Sequence, residues 1–156
     1  MIFTIGYEAL TPARLQEIAH GLSALVIDVR AMPRSRKPGF SKSTLTGLLG
    51  PQYVTMGHVL GGRGNTSPHG ITALRTLANT GQHALLLCME AEPGDCHRHH
   101  TICGPYFPEA IHIFEDELLR AADLSASLES EDGEYSVIGS LAQLLQNPKQ
   151  ARKLLA

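Results

Sequence analysis

Tryptophan is missing from this chain of 156 residues, and aromatic side chains of every kind make up only 5% of it. Proteins that grip single-stranded nucleic acid by stacking need exposed rings in series, so the chain lacks that platform. No apolar run reaches the roughly 18 residues of a membrane-crossing helix. Basic residues are absent ahead of the first apolar stretch, MIFTIGYEAL, which therefore reads as a strand and not as a signal peptide. Cysteine is scarce and odd in number, at three. That excludes a disulfide framework and favours a reducing, cytoplasmic compartment. Neither GKS nor GKT occurs, which excludes an ATP-type phosphate loop.

One further absence is local. Between Val29 and Met89 there is no Asp or Glu, while Arg30, Arg34, Arg36, Lys37, Lys42, Arg63 and Arg75 fall within the same span. From Glu109 to Glu134 the balance inverts, with nine acids against Arg120. A formal net charge of −2 hides this asymmetry. A basic half beside an acidic tail points to an anionic ligand, a small molecule or nucleic acid, for the first part.

What is present is an alternation of strands and helices. Phe3 to Gly6, Leu25 to Val29, Tyr53 to Met56, Ala84 to Met89 and Ala110 to Phe114 are short apolar runs of strand length. Thr11-Pro12, Ser41 and Ser67-Pro68 are helix starts, with Gly21, Gly50 and Gly81 as stops. Glu115 to Leu128 reads as an acidic amphipathic helix, Glu129 to Tyr135 as a loop, and Ser140 to Ala156 as an apolar helix broken at Asn147-Pro148. The expected fold is α/β: a single three-layer αβα domain with a mostly parallel sheet of about five strands, Rossmann-like or flavodoxin-like. Residues 115–156 would form a C-terminal helical extension beside it. In such a fold the strand-to-helix loops share one edge, where ligands bind.

Most of the reactive residues fall on those loops. Ala84 to Cys103, ALLLCMEAEPGDCHRHHTIC, is the richest stretch. Asp95 is the expected N-cap of a helix whose first turn holds Cys96, His97 and Arg98. A thiol at the positive end of a helix dipole, beside an imidazole and a guanidinium, ionises readily. Cys96, His97 and Glu90 are accordingly the candidate catalytic residues. Tyr7, Asp28, Arg30, Arg34, Arg36, Arg63 and Arg98 are the candidate substrate- or anion-binding residues. Asp28 has two readings, as a site residue or as the internal partner of an arginine. Cys88 reads as a small buried hydrophobe.

Thr4-Ile-Gly-Tyr7, Asp28-Val-Arg30, Pro33-Arg-Ser-Arg36, Phe40-Ser41, Leu60-Gly-Gly-Arg63, Leu87-Cys-Met-Glu90 and Cys96-His-Arg98 occur in an order that resembles the family called domain of unknown function 488. The resemblance covers about the first 105 residues. It implies an α/β domain and this choice of residues, and it implies no particular reaction. Tyr7 stands where many relatives carry His.

Three functions fit these observations. The first is an enzyme acting on a phosphate-bearing substrate, a nucleotide or nucleic acid, with Cys96 as nucleophile and His97 or Glu90 moving protons. Six positions after Cys96 stands Ile102, and after Cys88 stands Gly94, so the Cys-x5-Arg phosphatase loop is excluded. The second is a non-enzymatic nucleotide or nucleic-acid binder. The third is a metal-binding protein using Cys96, His100 and Cys103, which share one face of an α-helix with His99; one short helix cannot easily surround a tetrahedral ion, so a further ligand such as Glu90 or Cys88 would be needed. No cofactor is called for, the catalytic reading has no metal in it, and the oligomeric state is left open.

Overall fold

A computed structural model of the protein describes residues 1–148. Five of the apolar runs form parallel strands: β1 (Ile2–Gly6), β2 (Ala24–Asp28), β3 (Tyr53–Thr55), β4 (His83–Cys88) and β5 (Ile111–Phe114). β1, β2 and β4 are buried along nearly their whole length, which is why they read as continuous apolar runs without alternation.

Helices begin where the chain supplies a capping oxygen. Thr11 accepts a hydrogen bond from Arg14 N at the head of α1 (Pro12–Gly21). Ser41 does the same for Thr44 N in α2 (Lys42–Leu49), 3.4 Å away. A one-turn α3 (Gly57–Leu60) lies within the glycine-rich stretch, and Ser67 caps α4 (Pro68–Asn79). After β4 come an irregular turn over Arg98–Cys103 and a short α5 (Gly104–Tyr106).

The segment beyond β5 departs from the expected five-strand, mostly parallel arrangement. Glu117–Arg120 is a strand, β6, paired antiparallel with β5, followed by α6 (Ala121–Glu129). Val137–Ser140 forms β7, antiparallel to β6, and Ser140 caps α7 (Leu141–Gln146) with Gln143 bonding back. The sheet is therefore mixed and seven-stranded, in the order β3-β2-β4-β1-β5-β6-β7. The acidic helix expected from Glu115 is replaced in its first turn by a hairpin. Glu115 and Asp116 both take positive φ (49° and 65°), and Phe114 faces Glu117 in register. Such a two-residue turn matches the twist of antiparallel strands. The dense charge resembled a helix face, but it covers a turn. The part of the expected Ser140–Ala156 helix beyond residue 148 lies outside the described residues.

Both faces of the sheet are covered. Leu15 and Ile18 of α1, Leu45 and Leu49 of α2 and Leu141 of α7 pack with Phe3, Ile5, Leu85 and Leu87 on one face. Ile71 and Leu74 of α4, with Ile102, Cys103 and Phe107, pack with Ile27, Leu86 and Cys88 on the other. Thus the segments that follow β1 and β2 lie on one face, and those that follow β3 and β4 lie on the opposite face. β4 sits between β2 and β1. The parallel order differs from both the 3-2-1-4-5-6 and the 2-1-3-4-5 arrangements. Chains leaving a strand and its neighbour toward opposite faces open a crevice at their carboxyl ends.

Candidate functional site

That crevice is occupied by the loops singled out from the sequence. A cleft of about 560 Å³ is lined by Arg30, Ala31 and Met32 after β2, by Gly62, Arg63 and Asn65 after α3, by Cys88, Met89 and Glu90 at the end of β4, and by His97. Two glycines allow the backbones to meet beneath it. A Cβ on Gly6 would lie 1.7 Å from the Glu90 carbonyl oxygen, and one on Gly57 would lie 1.8 Å from that of Arg30. Arg63 takes φ +57°, the left-handed region that side chains rarely adopt, on the rim of the cleft.

At the floor, His97 meets two sulfurs. Its Nδ1 lies 3.6 Å from Cys88 Sγ and 4.0 Å from Cys96 Sγ. Its Nε2 lies 3.0 Å from the Val29 carbonyl and 3.1 Å from that of Leu60. Carbonyl oxygens only accept, so Nε2 carries the proton and donates to both. The ring is locked with Nδ1 toward the thiols. The Cys88 thiol also reaches Glu90 Oε2 at 3.7 Å. The Cys88 thiol stabilises the Cys96 thiolate, and His97 and Arg98 add to this against the cost of burial, so Cys96 ionises far below an ordinary thiol. Cys88 moves the opposite way, since its proton is held by the Cys96 sulfur in a buried setting. Burial opposes charge on His97, but the Cys96 sulfur more than offsets it and raises its pKa. Glu90 is raised by burial and then by Cys96.

Asp95 does not cap a helix over Cys96. It is exposed, in a tight turn spanning Pro93–Asp95, and Cys96 is extended (φ −122°, ψ 144°). The Cys96 carbonyl instead accepts from the N–H groups of His99 and His100, which starts the turn two residues later than expected. Arg98–Cys103 then follows a π-helical path, so the α-helical face that would have joined Cys96, His100 and Cys103 does not exist. Cys103 is fully buried among apolar side chains, and burial pushes its thiol up. His100 is exposed and bonds the Gly94 carbonyl. Among the described residues, the trio whose donor atoms converge, all within 4.8 Å of one another, is Cys88, Cys96 and His97. Cys88, read from the sequence as a small buried hydrophobe or as a further ligand, belongs to that group because β4 ends at it and turns its side chain into the cleft.

The arginines divide. Arg63 and Arg30 line the cleft, but Arg30 is 6% exposed and engaged elsewhere. Its Nε and Nη2 donate to Asp28 at 2.9 and 2.6 Å, and its Nη1 donates to the Phe40 carbonyl. Tyr53 OH donates to Asp28 as well, at 2.5 Å. Asp28 is thus an internal partner of Arg30. Tyr7 is buried, stacked on Phe40 with ring centroids 4.8 Å apart, and lies under the Arg30 guanidinium. Arg34 and Arg36 are exposed on the loop of residues 31–39 and do not line the cleft. Lys37 pins that loop by donating to the Tyr7 and Glu8 carbonyls.

Arg98 lies beneath the site, 0% exposed. It donates to Thr4 Oγ1 (3.0 Å) and to the Glu90 and Ala91 carbonyls (2.7 and 3.2 Å). With Thr4 accepting from Arg98, its hydroxyl donates to His112 Nδ1 at 2.6 Å. His112 Nε2–H then donates to His99 Nδ1 at 2.9 Å, and His99 Nε2–H to Ser125 Oγ at 3.3 Å. Burial disfavours charge on both rings, lowering His99 to about 4 and His112 well below the ordinary value. This chain bolts the Cys-His-Arg turn to β1 and β5, and nothing in the sequence pattern announced it.

No curated protein and no solved structure matches the chain. From α1 to the start of α4, residues 14–70, which carry Asp28, Arg30, Arg34, Arg36 and Arg63, the chain is similar to a family described as domain of unknown function DUF488.

Proposed function

We propose that the cleft is the active site of an enzyme acting on a phosphate-bearing substrate, a nucleotide or nucleic acid. What supports this reading above all is the meeting of a cationic rim and a thiolate–imidazole–carboxylate floor in one crevice at the carboxyl edge of the sheet. Arg63, exposed on the rim of the cleft, takes the anion in a bidentate contact, with Arg34 and Arg36 steering from the neighbouring loop. Arg30, Asp28 and Arg98 are positioning residues, since their polar groups are engaged within the protein, and Tyr7 supports them from beneath, its ring buried between Phe40 and the Arg30 guanidinium. Cys96 supplies a buried negative charge held by Arg98 and His97. Glu90, on the cleft wall with a raised pKa, moves the proton of the reacting group. Three free thiols support the reading of a reducing, cytoplasmic compartment.

The test is a screen of nucleotides, oligonucleotides and simple phosphate esters with the wild-type protein and two variants. Glu90→Gln lowers kcat by about a hundredfold or more, and Arg63→Ala raises KM while leaving kcat nearly intact. Absence of turnover across the screen refutes the enzymatic reading. Salt-sensitive oligonucleotide binding without turnover replaces it by the binding one.

A further inference from the structure

We infer that Cys88 Sγ, Cys96 Sγ and His97 Nδ1 form a binding site for one thiophilic divalent cation of the zinc class, with its fourth coordination position open to the cleft. The inference rests on the reading of the cleft given above and names the group that does its chemistry.

The first argument is distance. With Zn–S near 2.3 Å and Zn–N near 2.05 Å, tetrahedral coordination sets S···N at about 3.6 Å and S···S at about 3.8 Å. Cys88 Sγ and His97 Nδ1 already stand 3.6 Å apart, and Cys96 Sγ needs to close by a few tenths of an ångström from 4.0 Å. All three donor atoms lie within 4.8 Å of one another. The second is orientation. A ligating histidine almost always donates its other ring nitrogen to a carbonyl or carboxylate, which fixes the tautomer and raises its basicity. His97 does this twice, to Val29 and Leu60. The coordinating lone pair on Nδ1 is thereby aimed at the sulfurs before any ion arrives.

The third is donor chemistry. Two thiolates and an imidazole select zinc-class ions over magnesium or calcium, which prefer oxygen. The fourth is accessibility. Cys88 and His97 line the cleft while Cys96 lies behind them, 1% exposed. The three ligands therefore cover the inner side of the ion and leave its outer side to water or substrate. Three protein ligands and one open position is the catalytic pattern, in contrast to the closed four-ligand structural one. Glu90, whose Oε2 is 3.7 Å from Cys88 Sγ, stands at the edge of that open position. A cation there lowers the pKa of its bound water, and the adjacent carboxylate is placed to accept the proton.

The experiment uses untagged full-length protein stripped with a chelator and confirmed folded by circular dichroism. It is titrated with Zn(II) against a chromophoric competitor and, separately, with Co(II). One equivalent of zinc is expected, together with a near-ultraviolet sulfur-to-cobalt charge-transfer band and visible bands of tetrahedral intensity. Cys88→Ser and Cys96→Ser each weaken affinity by at least about tenfold, whereas Cys103→Ser leaves stoichiometry and affinity unchanged. If either of the first two variants does not fold, the cobalt spectrum of the wild-type protein decides. Zinc below a tenth of an equivalent, a cobalt spectrum without the sulfur band, or unchanged affinity in a folded Cys88→Ser protein overturns the site. These readouts need no turnover. Stripped protein that hydrolyses a phosphate ester without binding metal overturns the metal and keeps the enzyme. Zinc bound tightly with no turnover keeps the metal and removes the enzyme.

Discussion

Replacing Asp28 by Asn tests whether the Asp28–Arg30–Tyr53 group holds the cleft wall in place. The change keeps the shape of the side chain and removes its charge. Asp28 is 0% exposed and accepts four hydrogen bonds: Arg30 N at 3.1 Å, Nε at 2.9 Å, Nη2 at 2.6 Å and Tyr53 OH at 2.5 Å. An amide oxygen can satisfy one side of this arrangement, but the amide NH₂ then points at either a guanidinium or a phenol hydroxyl. Arg30, 6% exposed, is left as a buried cation still donating to the Phe40 carbonyl. Removing one partner of a buried ion pair costs about 3–5 kcal/mol, because the other charge stays behind. With a urea m-value near 2 kcal/mol/M, the midpoint of unfolding falls by about 2 M. The readout is far-UV circular dichroism against urea for wild type, Asp28→Asn and the pair Asp28→Leu with Arg30→Met. The double variant removes both charges, so it should lose less than the single one. A single-variant shift below about 0.5 M, or a double variant no better than the single, refutes the account of Asp28 as the counter-charge of Arg30.

Three further outcomes follow from the same geometry. His112 is neutral in the fold, with a pKa depressed by burial below its ordinary 6.5, so the unfolded chain binds a proton that the folded one does not. Its contribution is therefore intact above pH 6.5 and falls as pH drops below it, by up to about 1.4 kcal/mol per unit, and His112→Gln removes that share of the slope in a urea series from pH 7.5 to 5 while the share from His99 remains. Gly6→Ala inserts a methyl 1.7 Å from the Glu90 carbonyl oxygen. It must push the Glu90 loop off β1, costing about 2 kcal/mol or more by thermal unfolding and reducing whatever activity depends on Glu90. Arg98→Met removes the guanidinium that ties Thr4 to the Glu90 and Ala91 carbonyls. It should raise the Cys96 pKa, so the midpoint of thiolate absorbance against pH moves upward in the folded variant, and an unchanged midpoint removes Arg98 from that role.

The parts of the fold that were legible are those whose signals are local. Thr11, Ser41 and Ser67 announce helix starts through hydroxyls that do cap, and β1, β2, β4 and β5 were found because strands buried on both faces are largely apolar, whereas β3, at the edge and partly exposed, gives a weaker run. β6 was lost because its two leucines sit among acids that could as well line a helix, and its hairpin turn is Glu115-Asp116 without the Asn-Gly or Asp-Gly that usually marks it. In the Cys-His-Arg segment the residue types were visible but their partners were not. Arg98 is bound by groups at positions 4, 90 and 91, and His97 by carbonyls at 29 and 60, contacts that exist only once the sheet is assembled.

The same point explains why the thiols were misjudged as a pair. Spacing along an α-helix joined Cys96 to His100 and Cys103, whereas the π-turn and the end of β4 join it to Cys88, eight residues earlier. A helical segment bolted down by a buried arginine and a histidine chain is not free to choose its period. Thr4 and His112, neighbours in register on β1 and β5, hold Arg98 and His99 side by side on the sheet, and the preceding residue then has to turn its imidazole back toward β2 and β4. The site is thus determined less by the Cys-His-Arg triplet than by two polar residues on the sheet beneath it. Thr4→Val should disorder the His97 ring and loosen the sulfur group even though it touches neither. That would appear as faster alkylation of Cys88 with the strand core intact, and an unchanged Cys88 rate would show that the triplet positions itself.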